Sequence, residues 1–272
     1  MDYGTGLTFV KWGGSLITDK TQPFTTRPDV IHRLVDELAQ VWDDHQGQLV
    51  LGHGSGSFGH TTADEYDLQH GYTGPRQRAG VAHTQRAAAQ LHRTVLEALD
   101  EAGLPAFSVA PSSALITQDG TPDDVFAEPV RRALQLGLLP VVYGDVALDR
   151  AQGLAIASTE AVFRGLIGAL ESEGVRTNRV LWLGRTDGIY DADGEPIAQV
   201  DGHNAEAVWA QLGPPAGTDV TGGMQLRLQT ALDLANSGVS SCIMNGATAG
   251  ALTRALRGQN VAGTHVRRSE KS

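Results

Sequence analysis

Two lysines, Lys11 and Lys20, stand nine residues apart on either side of the pair Gly13-Gly14. Lysine is scarce here: of 21 Lys and Arg residues, only Lys11, Lys20 and Lys271 are lysines. A bias toward arginine codons accounts for the scarcity but not for this placement. Lys11 follows the apolar run that contains Leu7, Phe9 and Val10, where a cation without a task would be costly to bury. Glycine turns let backbone N–H groups approach a phosphate closely, and a neighbouring ammonium supplies the charge. Three more turns have suitable composition: Gly52-His53-Gly54-Ser55-Gly56-Ser57-Phe58-Gly59, Gly144-Asp145 and Thr221-Gly222-Gly223. One such turn says little. Several in one chain, two with serines interleaved, point to phosphate or nucleotide binding.

Other phosphate sites fit less well. No G-x-x-x-x-G-K-[ST] loop occurs. Gly54-x-Gly56-x-x-Gly59 has the spacing of a dinucleotide fingerprint, but the stretch about 20 residues on, Arg78-Ala79-Gly80, lacks the ribose-binding acid that the fingerprint requires. Composition narrows the field further. The 272 residues carry 31 Asp and Glu, a net charge of −10, which argues against a general nucleic-acid binder. A hydrophobic content of 41% is ample for a core. The lone Cys242 excludes a disulfide framework and a multi-cysteine zinc site, so a cytoplasmic setting is expected. Neither a membrane span nor a secretory leader is expected, because no run of 18 apolar residues occurs and Met1-Asp2 opens no basic segment.

The elements that must carry these turns alternate. Leu7–Trp12 reads as a buried strand running into Gly13-Gly14. Pro28 suits a first helical position, with Val30, Ile31, Leu34, Leu38 and Val41 following at helical spacing. Residues 48–53 read as the next strand, 77–102 as a long amphipathic helix stopped by Gly103, and 105–110 as a third strand. Thr121-Pro122 reads as the N-cap and first residue of a helix carrying Val125, Val130 and Leu134. Residues 138–146 read as one strand and 155–157 as another, after which Ser158 or Thr159 caps a helix reaching about Leu170. Residues 179–184 form a further strand before Arg185-Thr186-Asp187-Gly188. A helix through Leu226, Leu228, Ala231 and Leu234 follows Thr221-Gly222-Gly223, and 240–244 and 264–266 are the last strands. The alternation predicts an α/β fold, an open αβα sandwich with a mainly parallel central sheet. No linker or repeat interrupts it, so one domain over 1–272 is expected, with a polar, frayed tail from Arg267.

Four segments, Lys11-Trp-Gly-Gly-Ser15-Leu-Ile-Thr18-Asp-Lys20, Gly54-Ser-Gly-Ser-Phe-Gly-His60, Tyr143-Gly-Asp145 and Asp219-Val-Thr-Gly-Gly-Met224, resemble in content and order the motifs of the amino-acid kinase superfamily. Within it they are most similar to the isopentenyl phosphate kinase family. The K-x-G-G-S opening is shared across the superfamily; G-S-F-G-H and D-V-T-G-G-M are the specific parts. The resemblance runs from about Leu7 to Val266. It implies an amino-acid kinase-like sandwich, usually a homodimer, with the phosphate acceptor in about 1–175 and ATP with Mg²⁺ in about 176–266. The implied reaction is ATP plus isopentenyl phosphate giving isopentenyl diphosphate and ADP, a step of isoprenoid biosynthesis by an alternative mevalonate route. The partner is then a small-molecule phosphate acceptor, not nucleic acid or a membrane.

Such a transfer needs positioning and neutralisation of the oxygens more than covalent help. By the resemblance, Lys11, Lys20 and His60 would be catalytic. Lys11, Gly13, Gly14, Ser15, Gly56, Arg185, Asp187, Gly223 and Arg227 would bind ATP, and Ser55, Gly59, His60, Gly144 and Thr159 the acceptor. Glu160 would orient the lysines, and no side chain is assigned as a metal ligand. His60, best when protonated, would tell a phosphate acceptor from a carboxylate. His53 reads as structural. The prenyl tail would need apolar walls from 61–84, where Ala79, Gly80, Val81 and Ala82 are small.

Three positions depart from the family pattern. Its Ser-Gly-Asp is Ser158-Thr159-Glu160 here, which lengthens the acid by one methylene and gives Thr159 a Cβ expected to crowd the acceptor phosphate. Arg185 stands where an acid is usual, and Arg227 where a lysine is usual; an arginine there still clamps phosphate, bidentately. Two other readings stay open. One is a fosfomycin-kinase-like enzyme sharing His60 without a prenyl pocket. The other is a nucleotide-binding regulatory protein, favoured by Thr159, Arg185 and Arg227 and opposed by Lys11, Lys20 and His60.

Overall fold

In the computed structural model, which describes residues 6–212 and 223–269, the apolar runs become strands. In chain order these are β1 (Leu7–Trp12), β2 (Leu49–His53), β3 (Ala106–Ser108), β4 (Leu115–Gln118), β5 (Thr121–Val125), β6 (Leu139–Tyr143), β7 (Asp145–Asp149), β8 (Gly153–Ala157), β9 (Thr177–Gly184), β10 (Gln199–Val200), β11 (Ser240–Asn245) and β12 (Thr264–Val266). The helices are α1 (Gly14–Ile17), α2 (Pro28–Ala39), α3 (Gly56–Glu65), α4 (Arg76–Glu101), α5 (Pro111–Ala114), α6 (Glu128–Gln135), α7 (Thr159–Ser172), α8 (Ala205–Gln211), α9 (Gly223–Asn236) and α10 (Ala251–Leu256).

Among the described residues eight strands form one sheet in the order β10-β12-β11-β9-β1-β2-β6-β3, and in it only the β11–β12 pair is antiparallel. Every residue of β1 is buried, as expected of a central parallel strand covered on both faces. On one face Phe9, Val50, Val180 and Ile243 pack under α6, α7 and α9. On the other, Val10, Leu51 and Leu181 pack under α2, α4 and α10. The result is the αβα sandwich that the alternation predicts. Among the described residues no helix is long and apolar enough to cross a membrane.

Two sequence expectations are corrected by a second sheet, ordered β5-β4-β7-β8. Residues 138–146 are not one strand, because the chain leaves the large sheet at Gly144 and Asp145 opens β7. Nor does Thr121-Pro122 open a helix. Thr121–Val125 is β5, antiparallel to β4, and the helix starts at Glu128 with Pro129 in its first turn. The cause is Asp119-Gly120, both at positive φ (50° and 73°), a two-residue hairpin turn that matches strand twist. Asp149 locks this hairpin: its carboxylate accepts from Thr117 Oγ1 at 2.7 Å and Gly120 N at 2.8 Å. Of the segments singled out in the sequence, Asp219, Val220, Thr221 and Gly222, with Met1, Asp2 and the tail end that holds Lys271, lie outside the described residues.

Candidate active site

β1, β2, β6 and β9 deliver their carboxyl ends to one edge of the sheet. β1 is flanked by β2 and β9, so successive connections leave it in opposite directions and open a crevice. The turns at this edge are bonded to the strands beside them. Gly13 N donates to Leu183 O at 2.8 Å, Gly54 N to Trp12 O at 2.9 Å and Gly144 N to His53 O at 2.9 Å. The first two glycine turns meet backbone to backbone: a Cβ on Gly14 would lie 2.5 Å from Gly56 N. Thr18 clasps them, its hydroxyl donating to Gly14 O at 2.7 Å and accepting from Ser57 N at 3.0 Å.

The cleft between these turns and α7 gathers Lys11, Gly14, Ser15, Lys20, Ser55, His60, Gly144, Thr159, Glu160, Gly223 and Arg227, all expected from the sequence. Lys11 and Lys20 approach from either side of the first turn, Lys11 buried and Lys20 exposed at the rim. His60 lies on α3, whose first turn is the glycine loop itself. Gly13, Gly56 and Gly59 stand behind the wall, against Leu183 O, Thr18 and Ser55 Oγ respectively. Arg185 and Asp187 sit apart on the exposed bend after β9, where Asp187 accepts from Asn245 Nδ2 at 2.9 Å.

At the base of the cleft one carboxylate serves two cations. Lys11 Nζ donates to Glu160 Oε1, and Arg227 Nε lies 3.5 Å from the same oxygen. Burial alone would raise the Glu160 pKa, but Lys11 and Arg227 outweigh it and hold the group below the usual glutamate value. Among the described residues this one carboxylate is shared by a buried lysine and a largely buried arginine, and with Lys20 at the rim these cations favour an anion in the cleft. Arg227 reaches this position across Gly184, where a Cβ would come within 3.1 Å of its Nη1.

α7 adds its own N-terminus, capped by Ser158 Oγ accepting from Ala161 N at 3.2 Å. Thr159 lines the cleft, and its Oγ1 donates to His53 O at 2.7 Å, tying α7 to β2. Gly52 permits this close approach, since a Cβ there would meet the Phe163 ring at 2.5 Å.

Sequence reasoning left unassigned Gly54, Ile156, Ala157 and Ser158, which also line the cleft, and Thr18, which fixes its wall. Ser158 was legible as a helix cap. Ile156 carried no signal, because only the folding back of the small sheet brings it here. His53, expected to be structural, is fully buried, with Nε2 3.0 Å from His92 Nδ1. His92 Nε2 in turn lies 2.8 Å from Ser108 Oγ, and both rings stack near Tyr143. Burial pushes His53 down to about 4 and His92 down to about 3.

Comparison with known proteins places this geometry. The amino acid kinase family pattern matches residues 6–245. The isopentenyl phosphate kinase of Methanothermobacter thermautotrophicus is 33% identical over 270 residues, covering 94% of this chain and 97% of that protein. The isopentenyl phosphate kinase of Methanocaldococcus jannaschii is 28% identical over 271 residues, covering 97% of this chain and 100% of that protein. An X-ray structure of an isopentenyl phosphate kinase superposes with a TM-score of 0.78 at 28% identity, over 95% of this chain and 99% of the other. With its parallel sheet, its glycine turns and its near full-length relatives in agreement, the chain belongs to the amino acid kinase family.

Proposed function

We infer that this chain phosphorylates isopentenyl phosphate at the expense of ATP, giving isopentenyl diphosphate and ADP in isoprenoid biosynthesis. Kinship with two isopentenyl phosphate kinases along nearly the whole chain supports this reading. The observation that carries it to a prenyl acceptor is Ile156. This side chain lines the phosphate cleft and also packs on the apolar cluster of Ala63, Leu68 and Leu154, with Tyr66 and Val81 alongside. A phosphate cleft walled by an apolar side chain that continues into an apolar cluster suits a short hydrocarbon tail better than a small hydrophilic phosphonate.

In this reading the acceptor phosphate sits between His60, Ser55 and Gly144, and the nucleotide phosphates lie over Gly14, Ser15 and Arg227. Lys11 and Lys20 neutralise the transferring group, and Glu160 keeps Lys11 and Arg227 extended toward it. Mg²⁺ would be carried on the nucleotide phosphates. Glu160, the only acidic residue lining the cleft among the described residues, is already engaged by two cations, and no cluster of three His, Cys, Asp or Glu occurs among those residues. The acceptor half over about 1–175 and the ATP half over about 176–266 meet at this cleft. A homodimer through the edge strand β3, with Phe107 39% exposed, and a reducing cytoplasmic setting for the buried Cys242 thiol complete the reading.

An ADP-release assay with MgATP and a panel of isopentenyl phosphate, dimethylallyl phosphate, fosfomycin, carboxylic amino acids and UMP tests it. Turnover is expected with the two prenyl phosphates, and none with either would overturn the proposal. His60→Ala should cut acceptor turnover about 10²-fold while calorimetric ATP affinity survives. Equal loss of both would remove His60 from the acceptor side.

A further inference from the structure

We propose that His53 and His92 are positioning residues that aim the Ser55 N–H at the acceptor phosphate, through a buried hydrogen-bond chain ending on the Gly54 carbonyl. The inference rests on the acceptor reading above. Its geometry begins with an oxygen that can only accept: Gly54 O lies 3.2 Å from His53 Nδ1, so Nδ1 carries the proton. The Nε2 of a neutral His53 then accepts, and the group 3.0 Å away, His92 Nδ1, donates to it. His92 Nε2 is left to accept, and Ser108 Oγ–H supplies the bond at 2.8 Å. Each tautomer is thus fixed by the next group along, from an exposed serine on β3, through α4, to the glycine turn.

The consequence follows from the planar trans peptide. The Gly54 C=O and the Ser55 N–H belong to one unit and point in opposite directions. Holding the carbonyl on the buried His53 side therefore turns the N–H toward the cleft that Gly54 and Ser55 line. No acceptor among the described residues takes the Ser55 N–H, and a Cβ built on Gly144, on the neighbouring turn, would lie 3.4 Å from that nitrogen. Both rings are held against rotation: His92 stacks on Tyr143 at 4.2 Å between centroids, and His53 stacks on both. The burial that keeps both rings neutral preserves the donor–acceptor order.

Two measurements test this. The first is steady-state kinetics on His92→Leu, which removes the donor to His53, and on His92→Asn, whose side-chain amide can replace Nδ1–H. His92→Leu is expected to raise KM for isopentenyl phosphate at least tenfold and KM for ATP less than twofold, with His92→Asn recovering most of the loss. The second is histidine ¹⁵N spectroscopy of the wild-type chain, expected to place the His53 proton on Nδ1 and the His92 proton on Nδ1. A His92→Leu variant that melts earlier with both KM values unchanged, or with both raised alike, would overturn the proposal. So would a wild-type His53 protonated on Nε2, a result that does not depend on either variant folding. If the wild-type chain does not turn over isopentenyl phosphate, the acceptor reading fails and the spectra alone decide the hydrogen-bond chain.

Discussion

At the base of the cleft one carboxylate, Glu160, is shared by two cations, the buried Lys11 and the largely buried Arg227. Glu160→Gln keeps the shape but removes the carboxylate that Lys11 and Arg227 share, and breaking a buried ion pair in this way costs about 3–5 kcal/mol. We expect kcat to fall about 10²-fold or more, with a lowered melting temperature, in steady-state and calorimetric measurements. Glu160→Asp shortens the reach by one methylene. It can hold Lys11 or Arg227 but not both, and should lose about tenfold in kcat. The residue departures seen in the sequence make sense together: an arginine, with Nε rather than a terminal nitrogen near the acid, pairs with the longer carboxylate. Arg227→Lys in the wild-type background should therefore lower activity, and Arg227→Lys with Glu160→Asp should recover part of the loss. Strict additivity in that double-mutant cycle would show the two positions to be independent.

At the scale of elements, the site depends on two turns that can touch because neither carries a side chain at the contact. Gly56 has φ +50°, and a Cβ there would fall 2.2 Å from Thr18 Oγ1, the atom that clasps both turns. Gly56→Ala should destabilise by about 1–3 kcal/mol through strain and the lost clasp. It should also raise KM for both substrates, readable by urea unfolding and kinetics on the same sample. The same elements show what a sequence discloses. Glycine turns following apolar runs were legible because composition alone makes a strand end there, so Lys11, Ser55, His60 and Gly144 could be placed at one edge. The hairpin of β4 and β5 was not recovered, although Asp119-Gly120 is a local signal for it, because Thr121-Pro122 imitates a helix start. The division at Gly144 was less accessible still. β6 and β7 form one apolar run, and only the tertiary structure sends its second half to another sheet. Ile156, the residue that links the cleft to a buried apolar cluster, depends on that division.

For the molecule as a whole, the buried histidine pair makes stability a function of pH well above the range where carboxylates titrate. Both His53 and His92 have folded pKa values below the ordinary 6.5, at about 4 and about 3, so the unfolded chain binds protons that the folded chain refuses. Their contribution is complete above pH 6.5 and is lost as the pH falls from there toward 4. Each histidine can remove about 1.4 kcal/mol per pH unit in that window, or about 2 kcal/mol between pH 7.5 and pH 5. His45, also depressed by burial, acts in the same direction. Asp145, raised by its burial, acts in the opposite one, and Glu160, depressed by its cations, adds its loss only lower, below 4.5. Urea unfolding at pH 7.5, 6 and 5 should therefore show stability falling steeply before the carboxylates titrate. In His92→Asn, which removes one of the two groups, about half of that fall should disappear. A variant with the wild-type slope would mean that the pair titrates in the folded chain as it does in the unfolded one. In that case neither ring would be locked in the neutral form that holds the glycine turn, and the pH dependence would have to come from elsewhere in a chain of net charge −10.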